Sequence, residues 1–339
     1  NGTGNAYTLD VSDGANVDAA DLLALNGKTT VAVDLQLITA AGTALNGNYA
    51  ELKTLFAAAA SGDYTGLAGN LPITIDDNVS VSQANEINAL TSAAVTAGIS
   101  DTVLANYAGL EGTGNAYTIS IADAALDADA LEALNAKTTV DIVLAGDTSI
   151  SGTLANVNAV IVTKTGYSNA SINTAINVNI TDTISATNAE AILNDTTGVV
   201  TATIGSDAAG TINTAFAANT TGNDLLSITV TDSSVDPAIL NALDGKTGTD
   251  VNVSAVNTIS GAKAAIDTLY GNTANFVGLG NENITVTGGT VSVGDANTIA
   301  GYTSGTITAA IAAGTANALT SLNGTGNAYT LDVSDGANV

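Results

Sequence analysis

The sequence predicts a repeat solenoid: a β-solenoid with short helices in many of its coils, parallel stacked strands and about 23 residues per coil. Three observations carry that expectation. Residues 1–17, NGTGNAYTLDVSDGANV, return without a single change as residues 323–339, an offset of 322. Inside that period, ALNGKTTV (Ala24–Val31) returns as ALNAKTTV (Ala133–Val140) and as ALDGKTGTDV (Ala242–Val251), 109 residues apart each time. Segments rich in β-branched residues recur through the whole chain, their starts mostly 18 to 33 residues apart. The organisation that follows is three diverged units, residues 1–110, 111–218 and 219–322, with residues 323–339 opening the next identical period.

The candidate strands are short, alternating or β-branched. They are Tyr7–Val11, Thr30–Leu35, Ile73–Asp76, Ala94–Ile99, Tyr117–Ile121, Val140–Leu144, Ala159–Thr163, Asn177–Ile180, Val199–Ile204, Ser227–Thr231, Asp250–Ser254, Ile284–Thr287 and Thr306–Ala310. The long gap before Ile73 predicts one more strand near Leu52–Phe56. Short helices are punctuated between them. In Val235–Gly245, Asp236 can accept the first free amides and Pro237 fits the first helical position, where no amide bond is lost. Asp18 and Asp127 stand at the same repeat position, and Gly245 is the expected stop. Two turns of helix do not hold in water alone, so these helices must pack on a neighbouring coil.

Composition narrows the chemistry. The chain has no Cys, His, Met or Trp, and its six basic residues are all lysine. Thiolate nucleophiles, disulfides, thiolate metal sites and imidazole bases are therefore excluded. Thirty-two acids give a net charge of -26, which repels nucleic acid and anionic membranes. Asp outnumbers Glu 26 to 6, a bias toward turns and caps. The hydrophobic 45% is mostly Ala, Val, Ile and Leu, enough for a thin core. No apolar run reaches the roughly 20 residues that cross a bilayer. The absence of Met marks the chain as processed or as an excerpt, and the lack of visible caps predicts that both ends continue into more of the same repeat.

Carboxylates follow many strands: Asp10, Asp13, Asp76, Asp77, Asp123, Asp182, Asp207 and Asp232. Asp13, Asp77, Asp123, Asp182 and Asp232 are the candidate calcium ligands, since hard cations want several oxygens. No dense D-x-D-x-D loop occurs, so caps and Asx-turns are the favoured reading and no cofactor is required, calcium being the one ion the acids would take. The pairs Thr201/Thr203, Thr229/Thr231, Thr285/Thr287 and Thr306/Thr308 suggest an ice-binding face, but their array is broken. Lys28, Lys137 and Lys246 share one repeat position just after the helix, where a cation complements the helix dipole or could bridge to the next unit. Tyr7, Tyr117 and Tyr329 share another, as turn-packing residues or platforms for sugars. The loop Gly2–Tyr7 lacks GK[ST] and leads into a strand, which rejects nucleotide binding. Sequons such as Asn169–Ser171 and Asn283–Thr285 mark exposed sites.

Segments such as NAYTLDVSDGANVDAADLLALNGKTTVAVD and SITVTDSSVDPAILNALDGKT resemble, over the whole chain and by repeat style, giant repetitive surface proteins of aquatic bacteria, cyanobacteria above all. Many of those carry a haemolysin-type or adhesin label. The resemblance implies secretion, a cell-surface or sheath location, and adhesion, matrix or filament formation. The nonapeptide GGxGxDxUx of calcium β-rolls does not occur here. The expectation is a structural repeat segment of a long extracellular filament, sheath or surface-layer fibre that associates with itself end to end. The alternative is the stalk or ligand-binding region of an adhesin that grips polysaccharide or a cell surface. An enzyme is not expected, because the acids are spread evenly and no catalytic constellation is visible.

Overall fold

The computed structural model describes residues 5–12, 16–38, 43–218 and 222–336, in two compact units, 1–176 and 177–339. Each unit is mixed α/β, and every strand pairing described within it is parallel. The unit boundary falls inside the second sequence repeat.

In the first unit, Val17–Asp18, Leu45–Gly47, Ile73–Val79, Val95–Ile99 and Ala116–Thr118 form one sheet in chain order. Further parallel pairings form separate sheets. Val33–Asp34 lies between the first two of those strands in sequence, yet it pairs with Tyr64–Thr65, which lies between the second and third. Ser120–Ile121 pairs with Val143–Leu144, and Ala125–Asp127 with Ser149–Gly152. The second unit repeats the arrangement. Ser234–Val235, Thr258–Ala262, Asn283–Val291, Ile307–Ile311 and Ala328–Thr330 form one sheet in chain order, while Val251–Asn252 pairs with Phe276–Val277. Asn177–Ile184, Val200–Ile204 and Leu225–Ser227 pair in sequence too. Each unit thus holds a parallel sheet whose strands follow chain order, together with two-stranded parallel pairs formed by segments that lie between those strands in sequence or follow them.

The sheets bury alternate strand residues. Val95, Ala97 and Ile99 are buried, as are Ile307, Ala309 and Ile311. Ile73 faces Val95, and Ile259, Ile284 and Ile307 follow one another across the second unit. The helices close the other side: Leu22, Leu131 and Leu240 are buried at one repeat position, as are Ala19, Ala128 and Pro237 at the position three before it. Successive helices also touch, among them Tyr49–Ser61 with Val81–Asn88 and Pro237–Asp244 with Lys263–Gly271.

The punctuation expected of three helices is present at their starts. Asp18, Asp127 and Asp236 cap Ala19–Asn26, Ala128–Asn135 and Pro237–Asp244. Pro237–Asp244 stops at Gly245 as expected, with Gly27 and Ala136 at the matching ends; Gly245 has φ -68 and Gly27 φ -64, right-handed values that any residue adopts. Glycine is demanded elsewhere. At Gly47, Gly152 and Gly261 a Cβ would come within 2.9, 2.8 and 2.5 Å of Ala19, Ala128 and Pro237, the first residues of those helices. Only glycine lets the next strand lie that close to the helix start.

Two expected strands are helical. Leu52–Phe56 lies inside the helix Tyr49–Ser61, nucleated by a capping box between Asn48 and Glu51 and extended by an alanine run. Ala159–Thr163 is a π-helical turn continuing Leu154–Asn158, and it buries Val157, Val160 and Ile161 at helical spacing. Tyr7–Val11 makes only isolated bridges, at Asp10 and near it at Asn5. Ile73–Val79, Asn177–Ile184 and Asn283–Val291 each bulge at the same point, with register shifts after Thr74, Asn179 and Thr285.

Candidate functional site

Several polar side chains that recur with the repeat hydrogen-bond to a neighbouring strand or helix, and together they form the candidate site. Thr29, Thr138 and Thr247 occupy one position, just after the three matched helices. The Thr138 hydroxyl accepts the Tyr117 amide at 3.1 Å and the Val140 amide at 3.1 Å, and it donates to the Tyr117 carbonyl at 2.7 Å. Thr29 makes the same three bonds with Tyr7 and Val31. Thr247 makes them with Leu226 and Thr249, its hydroxyl 2.8 Å from the Leu226 carbonyl. A hydroxyl has one donor and two acceptor sites, so each is fully used. Thr91 and Thr303 extend the set: their hydroxyls donate to the Leu71 and Glu282 carbonyls at 2.6 Å and accept the amides two residues on.

A second device secures strand starts. Asn115 Oδ1 accepts the Val95 amide, Asp224 Oδ1 the Val200 amide and Asn327 Oδ1 the Ile307 amide, at 2.8, 2.8 and 2.9 Å. Asn115 and Asp224 are themselves buried, so the bond offsets the cost of their desolvation. Asn177 and Asn283 act alike toward Val199 and Thr306.

The third device uses the aspartates. Asp123 Oδ2 accepts the Leu104 amide, Asp232 Oδ2 the Ala209 amide and Asp335 Oδ2 the Ala316 amide, each at 2.6 Å. The helix Ala209–Ala215 and the 3-10 turn Leu104–Gly109 have no side-chain cap of their own, so an aspartate 23 and 19 residues further along supplies it. Asp77, in the bulge after Thr74, accepts the Tyr49 amide at 2.9 Å at the start of Tyr49–Ser61. Asp182 lies in the corresponding bulge after Asn179. Asp13 lies outside the described residues. Three of the five candidate calcium ligands thus serve as anions for backbone amides. Among the described residues, no group of three or more carboxylates gathers around one point.

Charged side chains bridge successive helices in the same spirit. Lys53 meets Glu86 at 2.7 Å, and the Tyr49 hydroxyl reaches the same carboxylate at 2.6 Å. Lys53 holds the Glu86 carboxyl below its ordinary value. Lys263 pairs with Asp267 and, at 3.1 Å, with Asp295 of the next helix. Tyr302 reaches Asp267 and stacks on Tyr270, whose hydroxyl donates to buried Glu282 at 2.8 Å. Burial and that carboxylate push the Tyr270 hydroxyl pKa up. Asp129 accepts the Asn156 amide at 2.7 Å and both the backbone and hydroxyl of Thr153. Those bonds, the Asn156 one foremost, hold its carboxyl below the usual range.

Of the other singled-out residues, Lys28, Lys137 and Lys246 follow their helices directly, their own amides closing the last turn on Leu25, Leu134 and Leu243. The threonine pairs make no continuous array: Thr201 stands between Asn179 and Leu225, and Thr285 between Ser260 and Thr308, which faces Ala328. Tyr117 is buried, with its hydroxyl pushed up to about 12 by that burial, whereas Tyr7 is exposed. A groove of about 840 Å³ beside Ser185, Ser206 and Thr211 contains one carboxylate, Asp207, which accepts the Ala208 amide. No protein family, curated protein or solved structure matches this chain. Among the described residues no helix is long and apolar enough to cross a membrane.

Sequence reasoning passed over the threonine clips. Their signal was present: Thr29, Thr138 and Thr247 stand beside the three lysines in the most similar stretch of the three units. The strand-start residues Asn115, Asp224 and Asn327 were visible in the same way, inside the GTGNAY copies and the weaker TGND.

Proposed function

We propose that this chain is a structural segment of a long extracellular filament, sheath or surface-layer fibre, in which the parallel sheets are the sides of a solenoid. One observation carries the reading: each described strand pairs in parallel with strands one circuit away, and the polar side chains of the repeat are spent on those same junctions. Parallel ladders joined by short helical crossovers propagate along one direction, and each circuit contacts mainly its neighbours. Stability then accumulates along the axis, which suits a mechanical role. The acidic surface keeps such fibres apart and soluble. The resemblance to giant repetitive surface proteins agrees with this reading and with secretion. No catalytic step is assigned: the acids whose contacts are described accept backbone amides or pair with lysine, tyrosine and asparagine side chains. That Asp77, Asp123 and Asp232 accept backbone amides supports a fibre that holds together without calcium.

Negative-stain electron microscopy of the material at the cell surface, with and without EDTA, tests this reading. Uniform fibres that survive the chelator are expected. Fibres that dissolve would return the aspartates to metal binding, and short rods ending in a knob would replace the filament by an adhesin stalk.

A further inference from the structure

The groove of about 840 Å³ lies inside the second unit, where Asn177–Ile184 runs into the helix Ala186–Leu193 and Val200–Ile204 runs toward Ala209–Ala215. Its floor is apolar, with Ile184 and Ile212 both buried. Its walls carry hydroxyls. Thr187, Ser206 and Thr211 line it and are exposed, and among the described residues none of these hydroxyls is tied to another group of the chain. Asp207 gives one oxygen to the Ala208 amide and leaves the other open. No lysine lines the groove.

The same segment in the first unit is filled. The Ser100 and Gly205 amides donate to the Val79 and Ile184 carbonyls, and Asp123 and Asp232 accept the Leu104 and Ala209 amides. That register sets Tyr107 at the position of Ile212, Asp101 at Ser206 and Ala105 at Gly210. The Tyr107 hydroxyl donates to the Asp101 carbonyl, so a buried aromatic ring spans the interval. Between Ile212 and Ser206 no such ring exists, and nothing stands within 4 Å of where a Gly210 Cβ would be. Smaller side chains at three matched positions, Ala209, Gly210 and Ile212 for Leu104, Ala105 and Tyr107, leave the space open.

We infer that this groove is a binding site for a neutral oligosaccharide. An apolar floor with hydroxyl walls matches a sugar ring, which presents C–H faces and a rim of hydroxyls. Each serine or threonine hydroxyl donates one bond and accepts two, and the open Asp207 oxygen only accepts, so the ligand must bring donors and acceptors together. The volume falls within the roughly 300–1,000 Å³ of small-molecule sites. A net charge of -26 and a groove without lysine repel uronic acids and sugar phosphates. A polyamine is drawn by that charge, but the groove offers it a single carboxylate. The inference goes beyond the filament reading and is independent of it, because the groove is complete within one unit.

The labelled full-length chain is applied to an array of neutral and acidic oligosaccharides, and the best-retained neutral one is titrated by calorimetry. Neutral saccharides are expected to be retained and acidic ones not. Gly210→Leu fills the groove from an open position. Ser206→Ala with Thr211→Val removes two wall hydroxyls, at about 0.5–1.5 kcal/mol per hydrogen bond. Each of these two variants is expected to weaken binding about tenfold or more with an unchanged unfolding midpoint. Ala105→Leu, at the matching position of the first unit, is expected to leave binding as it was. The site is overturned if the unaltered chain retains no neutral saccharide, if it retains only acidic ones, or if the hydroxyl variant and Gly210→Leu bind as well as the unaltered chain. None of those results bears on the filament reading, which stands or falls with the microscopy.

Discussion

At Thr29, Thr138 and Thr247 a single hydroxyl accepts two amides and donates to a carbonyl, and its removal strands backbone groups on two segments. Thr247 is buried, so Thr247→Val keeps the shape and leaves the Leu226 and Thr249 amides without their acceptor. Unsatisfied buried groups cost about 1–3 kcal/mol each, so the expected loss is roughly 2–4 kcal/mol by denaturant unfolding. Thr247→Ser keeps the hydroxyl and is expected to lose no more than about 1 kcal/mol, the cost of one methyl group. Equal losses in the two variants would show that the methyl, not the clip, matters. Asp129 gives a pH-dependent counterpart. Its carboxyl is held low in the folded chain, so its contribution to stability is complete above the unfolded value of about 3.9 and is lost as pH falls through the lower folded value. Carboxyl NMR should find it titrating below ordinary aspartates, and Asn156→Ala should move it back up. An ordinary midpoint in the unaltered chain would remove the inter-segment bond from the account.

Helices and strands here depend on neighbours for the groups that complete them. Ala209–Ala215 is seven residues long, and Asp232, 23 residues after Ala209, caps it. Asp232→Ala should therefore cost about 0.5–2 kcal/mol, as loss of an ordinary N-cap does, though the two residues are far apart in sequence. Hydrogen exchange should place the loss at Ala209 and the amides after it. Protection unchanged there would show that the cap is idle. The glycine approach makes a steric prediction. Gly152→Ala would set a methyl 2.8 Å from the Ala128 Cβ and is expected to cost about 1–3 kcal/mol. Adding Ala128→Gly should recover part of it, whereas purely additive losses would mean the two do not meet. This scale also divides what was legible from what was not. The matched helices with Asp18, Asp127 and Asp236 were readable because caps are local chemistry. Strands such as Leu45–Gly47, Ser149–Gly152 and Thr258–Ala262 were not, because they carry the glycine or asparagine that close packing demands and not β-branched runs. Leu52–Phe56 misled because its apolar spacing serves a helix whose start is fixed by Asn48.

Repetition lets these small devices act over the whole chain. The 322-residue identity and the 109-residue spacing announced repeated units, and the parallel ladders follow from them. The candidate site was only half legible. The aspartates stood out as acids, but an acid that binds calcium and an acid that caps a neighbour's helix look alike in sequence. Asp123 and Asp232 are separated from the amides they accept by 19 and 23 residues, a span no local motif records. Oriented X-ray fibre diffraction from the assembled material tests the stacked reading most directly. Strands crossing the fibre axis at each circuit predict a meridional reflection at about 4.7–4.9 Å, the spacing of hydrogen-bonded strands, unchanged by EDTA. A fibre with that reflection on the equator, or with none, would contradict stacking along the axis.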